Sequence, residues 1–266
     1  MLQQVQDRPQ ENGRLALQDV HLAAIERVIE TMHARLCEPL SLEDMADVAC
    51  LSPYYFSRVF HQVISIPPGE FLSTLRLDMA KRLLLTTSLS VTDICFEVGY
   101  VGLGSFTTRF TQMVGLPPRH LRHVARNTAL PPFVELCDTR IISPLTFPYV
   151  GGVSGRILTT SPFSGLIFAG LFPKAIPQGR PVRCTLLSTP GPYHIDLVPD
   201  GRYFLLVAAL PVSENPYTYL MPQNDVLVGI HGPIIVHNGK AQNTVDIILR
   251  PPRLTDPPII SALPFI

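Results

Sequence analysis

Residues 41–60 read S-L-E-D-M-A-D-V-A-C-L-S-P-Y-Y-F-S-R-V-F, and residues 90–110 read S-V-T-D-I-C-F-E-V-G-Y-V-G-L-G-S-F-T-T-R-F. The second is a worn copy of the first. Leu42 aligns with Val91, Met45 with Ile94 and Ala46 with Cys95 at an offset of 49. One extra residue in the turn moves the offset to 50, where Phe56 meets Phe106 and Phe60 meets Phe110. Ile66-Pro67-Pro68 then matches Leu116-Pro117-Pro118, and Phe71 matches Leu121. Self-similarity at a fixed period marks one supersecondary unit used twice.

The repeat settles what Gly99, Gly102 and Gly104 are for. A phosphate-cradling glycine loop follows a β-strand and opens a helix. These glycines follow the helical stretch V-T-D-I-C-F-E-V instead. Gly99 is therefore a turn glycine, matching Cys50, at a place where positive φ is wanted. No G-x-S-x-G, H-E-x-x-H or G-x-x-x-x-G-K-[ST] occurs, and G-G-V-S-G at 151–155 has the wrong spacing for a nucleophile elbow. His120 and His123 lie one helical turn apart without a third ligand in view. The reading is of a non-enzyme without metal or cofactor.

Each copy has helix-turn-helix character. Ser41 with Asp44, and Ser52 followed by Pro53, are helix starts. Ala46 and Cys95 are small residues where two helices cross. In the second helix of the first copy, Phe56, Val59, Phe60 and Val63 form the inward stripe. Tyr54, Ser57, Arg58 and His61 share another face at i, i+3, i+4 and i+7. That face suits a major groove, since arginine can bond guanine O6 and N7 together. An ordinary solvated face is the plain alternative for one such helix. Two such helices joined by a third change the weighing. A linker over 70–86 would be about 25 Å long, suited to reading helices set about 34 Å apart along a duplex.

Farther out, 21 basic residues balance 21 acidic ones, so any nucleic-acid footprint must be local. Ile25, Val28, Ile29 and Met32 make one helical face, and Leu75, Met79 and Leu83 another. Of 27 prolines, 20 lie after residue 127. There VGGVSGRIL, GLIFAGLF, VRCTLL, YHIDLV, RYFLLVAAL, VLVGI and TVDIIL alternate with turn residues, as in an antiparallel sandwich or barrel. The expected fold is multidomain, α then β. It runs as a polar tail at 1–20, an all-α double helix-turn-helix domain at 21–127, a linker at 128–148 and an antiparallel β-sandwich at 149–266. The five cysteines are odd in number and form no C-x-x-C pair, which fits a reducing cytoplasm and small buried thiols. Neither a signal peptide nor an apolar span is evident.

Residues 21–126 resemble the AraC/XylS DNA-binding domain. The resemblance is carried by S-L-E-D-M-A, L-S-P-Y-Y-F-S-R-V-F, L-R-L-D-M-A-K-R-L-L-L, D-I-C-F-E-V-G-Y and G-L-P-P-R-H-L-R. It covers about 40% of the chain, and it implies promoter binding and, usually, activation of transcription. Carried over by position, Tyr54, Ser57 and Arg58 would meet bases and His61 a phosphate. In the second copy the positions are Gly104, Ser105 and Thr108. A basic residue is common in the family where Thr108 stands. Arg109 points about 100° away from it, toward a phosphate or the linker helix. Ser52, Arg76 and Arg119 are further phosphate-contact candidates.

The β-rich segment, with P-D-G-R-Y at 199–203, is similar to transthyretin-like, carboxypeptidase regulatory-like domains. The expected partners are promoter duplex DNA, RNA polymerase and a small-molecule effector at the β-domain, with no membrane and with monomer or homodimer left open. His194, Asp196, Tyr203, Tyr217, Tyr219, His231 and His237 are polar residues that a pocket there would use. The proline-rich tail is expected to pack along the edge of the sandwich. A constitutive DNA-binding protein, with a β-domain that only dimerises or recruits, is the alternative; an enzyme housed in that domain is a remote one.

Overall fold

The computed structural model describes residues 8–127, 151–213, 217–222 and 225–261. Seven helices form the first part: α1 (Arg8–Ala34), α2 (Leu42–Ala49), α3 (Pro53–Ile64), α4 (Pro68–Thr86), α5 (Val91–Glu97), α6 (Leu103–Val114) and α7 (Pro118–Asn127). α1 begins inside the segment read as a polar tail. The expected linker at 128–148, and Cys137 with it, lies outside the described residues.

The repeat is reproduced bond for bond. Ser41 and Ser90 each accept from the N3 amide while Asp44 and Asp93 reach back to the cap amide, a capping box at both starts. Both first helices end in the same way. Leu51 N–H donates to Ala46 O and Tyr100 N–H to Cys95 O, each at 3.0 Å, around Cys50 and Gly99 at φ of 56° and 79°. α3 and α6 both have 12 residues and end on left-handed Ser65 and Gly115. Phe56, Phe60 and Phe71 stack edge to face in one copy, and Tyr100, Phe106 and Phe110 pack together in the other.

Several expectations need correction. Val63 is exposed and Ile64 closes the buried stripe of α3. Of the expected α4 face, Leu75 is buried and Leu83 packs part-buried against the core, but Met79 does not belong to it. Met79 is exposed, while Leu72, Leu75, Leu77, Ala80, Lys81 and Leu84 are buried. This helix is covered on several sides, so no single stripe describes it. Cys37 and Cys50 are exposed, whereas Cys95 is buried.

The second part is β-rich: β1 (Val153–Thr159), β2 (Gly165–Phe172), β3 (Arg183–Leu187), β4 (Gly191–Ile195), β5 (Gly201–Pro211), a short α8 (Tyr217–Leu220), β6 (Leu227–His237), β7 (Lys240–Ala241) and β8 (Ile247–Leu249). They make a three-stranded sheet, β4-β1-β8, and a five-stranded sheet, β3-β2-β5-β6-β7. Val153, Ile157, Ile195 and Ile247 of the first share one apolar core with Ile167, Leu171, Leu205, Val207 and Val236 of the second. The ladders are antiparallel except β1 with β8, which is parallel. Asp200, in the turn before β5, accepts from the amides of Asn238 and Gly239 in the β6–β7 turn.

Every residue of β2 is buried, because the five-stranded sheet is covered on both faces. Leu166, Phe168, Phe172, Leu206, Leu210 and Val228 pack outward, against the tail at Ile259. As far as Ser261 the tail lies across this face, not along an edge as expected. Ile176, Leu220 and Ile260 continue into the core of the helical part. Lys81 on α4 donates to Ile259 O at 2.8 Å. Among the described residues no helix is long and apolar enough to cross a membrane.

Candidate nucleic-acid interface

On α3 the polar face stands in solvent. Tyr54 is 83% exposed, Arg58 and His61 are exposed, and Ser57 is half-buried. The Arg58 guanidinium sits over the Tyr55 ring, 4.9 Å from its centroid. Tyr55 in turn pairs its hydroxyl with His21 Nε2 at 3.2 Å and packs edge-on against that ring. A guanidinium stacked on a ring keeps its in-plane N–H donors for other partners. α1 thus steadies the arginine that the sequence singles out. At the start of α3, Ser52 makes no side-chain cap and Pro53 occupies the first turn. The leading amides of this helix therefore have no side-chain acceptor from the cap.

On α6 Gly104, Ser105 and Thr108 are all exposed. Ser105 Oγ donates back to Gly102 O at 2.8 Å. Arg109 is half-buried and turned toward the linker helix, 3.6 Å from Glu70 Oε1. Ser105, Thr108, Arg109 and Gln112 line a shallow groove whose other wall is Glu70 and Ser73 at the start of α4. Ser73 Oγ and the Tyr100 hydroxyl meet there at 2.9 Å.

Arg76 requires a correction. Its Nε donates to Leu36 O at 2.9 Å and its guanidinium also donates to Glu38 O at 2.6 Å. Those carbonyls follow the end of α1 and have no helical partner of their own. Arg76 ties α4 to α1 and is committed to the fold, not to a phosphate. Arg119, by contrast, is exposed on the first turn of α7.

Two residues were missed in the sequence. Glu70 occupies the first turn of α4 with only 10% of its side chain exposed, and Lys174 reaches it from the β2–β3 connection at 2.7 and 3.0 Å. Glu70 had the local signature of a helix-start acid. Lys174 had no local signature, because its partner lies 104 positions away.

The polar residues of the β-rich part are scattered. Tyr203 lies in the core between the sheets, Tyr219 on the opposite face of the large sheet, and His231 and His237 in solvent on β6. His194 is half-buried beside Gly152, and burial lowers its pKa. Asp196 is exposed, and the side chain of Tyr217 lies outside the described residues.

Comparison with known proteins places a family match on the helical part. A family described as a helix-turn-helix domain matches residues 45–123. The uncharacterized HTH-type transcriptional regulator YobQ of Bacillus subtilis is 33% identical over 95 residues, which are 36% of this chain and 39% of that protein. The HTH-type transcriptional activator AarP of Providencia stuartii is 30% identical over 94 residues, 35% of this chain and 70% of that protein. The chain spans less than half the length of most of the relatives it matches, such as 27% of GbdR of Pseudomonas aeruginosa. Among solved structures, the DNA-binding domain of AdpA in complex with a target DNA is 27% identical, covering 39% of this chain and 95% of that one, with a TM-score of 0.37. An AraC-type regulator from Chromobacterium violaceum is 26% identical, covering 40% and 95%, with a TM-score of 0.38.

Proposed function

The chain belongs to the AraC-type helix-turn-helix transcriptional regulators, and from that premise we propose that it reads a promoter through two successive major-groove contacts. The observation that carries the reading is the exposed face of α3, where Arg58 is held over Tyr55 and flanked by Tyr54 and His61. Arg58 reads bases, with Tyr54 and Ser57 beside it and His61 toward a phosphate. Gly104, Ser105 and Thr108 present little beyond backbone and hydroxyls, so α6 adds mainly backbone contacts. Ser52 and Arg119 serve as phosphate contacts.

We assign the two β-sheets to a transthyretin-like sandwich on the strength of their shared apolar core. In this reading the module senses a ligand or meets a partner such as RNA polymerase, and the protein acts as an activator in the cytoplasm, as monomer or homodimer. Selection of bound sequences from random duplexes supplies the operator. On that operator Arg58→Ala should cost about 1–3 kcal/mol and relax preference at one base pair. Equal binding by wild type and mutant at matched salt removes Arg58 from the readout.

A further inference from the structure

We propose that Lys174, in the β-rich part, is a positioning residue for DNA binding: it takes the larger share of the Glu70 charge and so loosens the hold of Glu70 on Arg109, which can then turn to the duplex. The proposal rests on the DNA-binding reading of the helical part. Glu70 lies in the wall of the groove along α6 and is the one carboxylate there among the described residues, facing Thr108 and Arg109. A largely buried acid beside a phosphate path repels it with little screening, and it also draws in any nearby cation. Arg109 is the cation at hand on α6, at 3.6 Å from one oxygen. Lys174 takes both oxygens, at 2.7 and 3.0 Å, and is the closer partner. Arg109 is thereby left as the second, looser partner, with 36% of its side chain exposed.

The segment carrying Lys174 is built onto α6. Gly179 N–H donates to Met113 O at 2.6 Å in the last turn of that helix. Gly179 has φ of +59°, and a Cβ there would stand 2.7 Å from Gln112 O, so this approach requires glycine. Ile176 is fully buried in the helical core, and Ser261 Oγ donates to the carbonyls of Pro177 and Gly179. The tail, the β2–β3 connection and α6 thus hold one another, and Lys174 is delivered to Glu70 by the β-rich part. Whatever loosens that docking returns Glu70 to Arg109 and weakens DNA binding. By linkage, bound DNA strengthens the docking to the same degree.

The test uses the full chain and a duplex selected by the wild type, with affinity read by fluorescence anisotropy across a salt series. Lys174→Gln should bind about three- to tenfold more weakly. Lys174→Arg should bind like wild type, Glu70→Gln at least as tightly as wild type, and the double variant Glu70→Gln/Lys174→Gln within about twofold of wild type. Unchanged binding by Lys174→Gln overturns the proposal, and tighter binding shows that the segment blocks the groove. A double variant as weak as Lys174→Gln means that Lys174 touches phosphate itself. A weakened Glu70→Gln means that the pair merely docks the two parts. If Lys174→Gln melts early, Lys174→Arg and Glu70→Gln still decide. A wild type that selects no duplex removes the DNA-binding reading itself, an outcome distinct from all of these.

Discussion

Cys50 and Gly99 hold the same place in the two copies, at the left-handed end of α2 and just past the end of α5, yet only one of them suits it. The left-handed conformation costs an L-residue with a Cβ about 1–2 kcal/mol. Cys50 bears that cost at φ of 56°, exposed, its amide making two cap bonds. Cys50→Gly relieves it and loses about 0.4–1 kcal/mol to the freer unfolded chain. The variant should gain up to about 1.5 kcal/mol in chemical denaturation. Gly99→Ala should do the reverse. Its φ is 79°, and a Cβ would stand 2.9 Å from Cys37 O and 3.2 Å from the Arg76 guanidinium. Strain and clash together should cost more than about 2 kcal/mol. Changes of the same sign at the two positions would show that the copies do not share this turn. Arg76 is the residue that the sequence could not place. A basic side chain on a linker helix looks the same from a distance whether it meets phosphate or the carbonyls of Leu36 and Glu38.

At the scale of elements, what recurs in the chain was legible and what depends on a remote partner was not. Caps, turns and aromatic stripes of α2–α3 and α5–α6 follow from local spacing, and the second copy checks the first. The buried faces of α4 depend on what lies beside it, including the tail of the chain, so its periodicity misled. The parallel pairing of β1 with β8 joins strands about 90 residues apart, and nothing in either strand announces the partner. The reading faces were legible as residues, but the tie between Glu70 and Lys174 was not. The difference between α3 and α6 can be tested at this scale. Gly104 is exposed within α6, and an added Cβ would meet nothing within 4 Å. Gly104→Ala should therefore stabilise the protein by about 0.5–1 kcal/mol. Thr108→Arg, on the exposed face one turn later, should tighten binding to DNA of any sequence several-fold and steepen its salt dependence by about one ion. Both are read by melting and by anisotropy at two salt concentrations. A Thr108→Arg variant with unchanged salt dependence would place α6 away from the phosphates.

At the scale of the whole molecule, α4 is where everything meets: both helix-turn-helix units pack on it, and the tail crosses it at Lys81. That lysine is fully buried, donates to Ile259 O at 2.8 Å and lies 3.9 Å from Asp78, which is held more closely by Arg82 at 2.8 Å. Burial lowers its pKa to about 8, against the pull of Asp78 in the other direction and with the help of Arg82. The sign of the pH effect follows. Below pH 8 the ammonium is present in the folded and the unfolded chain alike, and the desolvation cost is borne in full. From about pH 8 to about 10.5 the unfolded chain keeps a proton that the folded chain releases, so this site makes stability rise with pH. The rise is on the order of 3 kcal/mol for a shift of this size. Lys81→Met removes the buried charge but leaves Ile259 O without its donor, and these two effects oppose each other. At pH 7.5 the variant should therefore lie within about 2 kcal/mol of wild type. Its stability should lack the wild-type rise, so the balance between the two proteins moves toward wild type as pH climbs to 9.5. Denaturant titrations of both proteins at the two pH values measure that difference and remove the background from other lysines and tyrosines. A constant difference between the proteins would mean that Lys81 keeps an ordinary pKa, and that the tail does not seal it against α4.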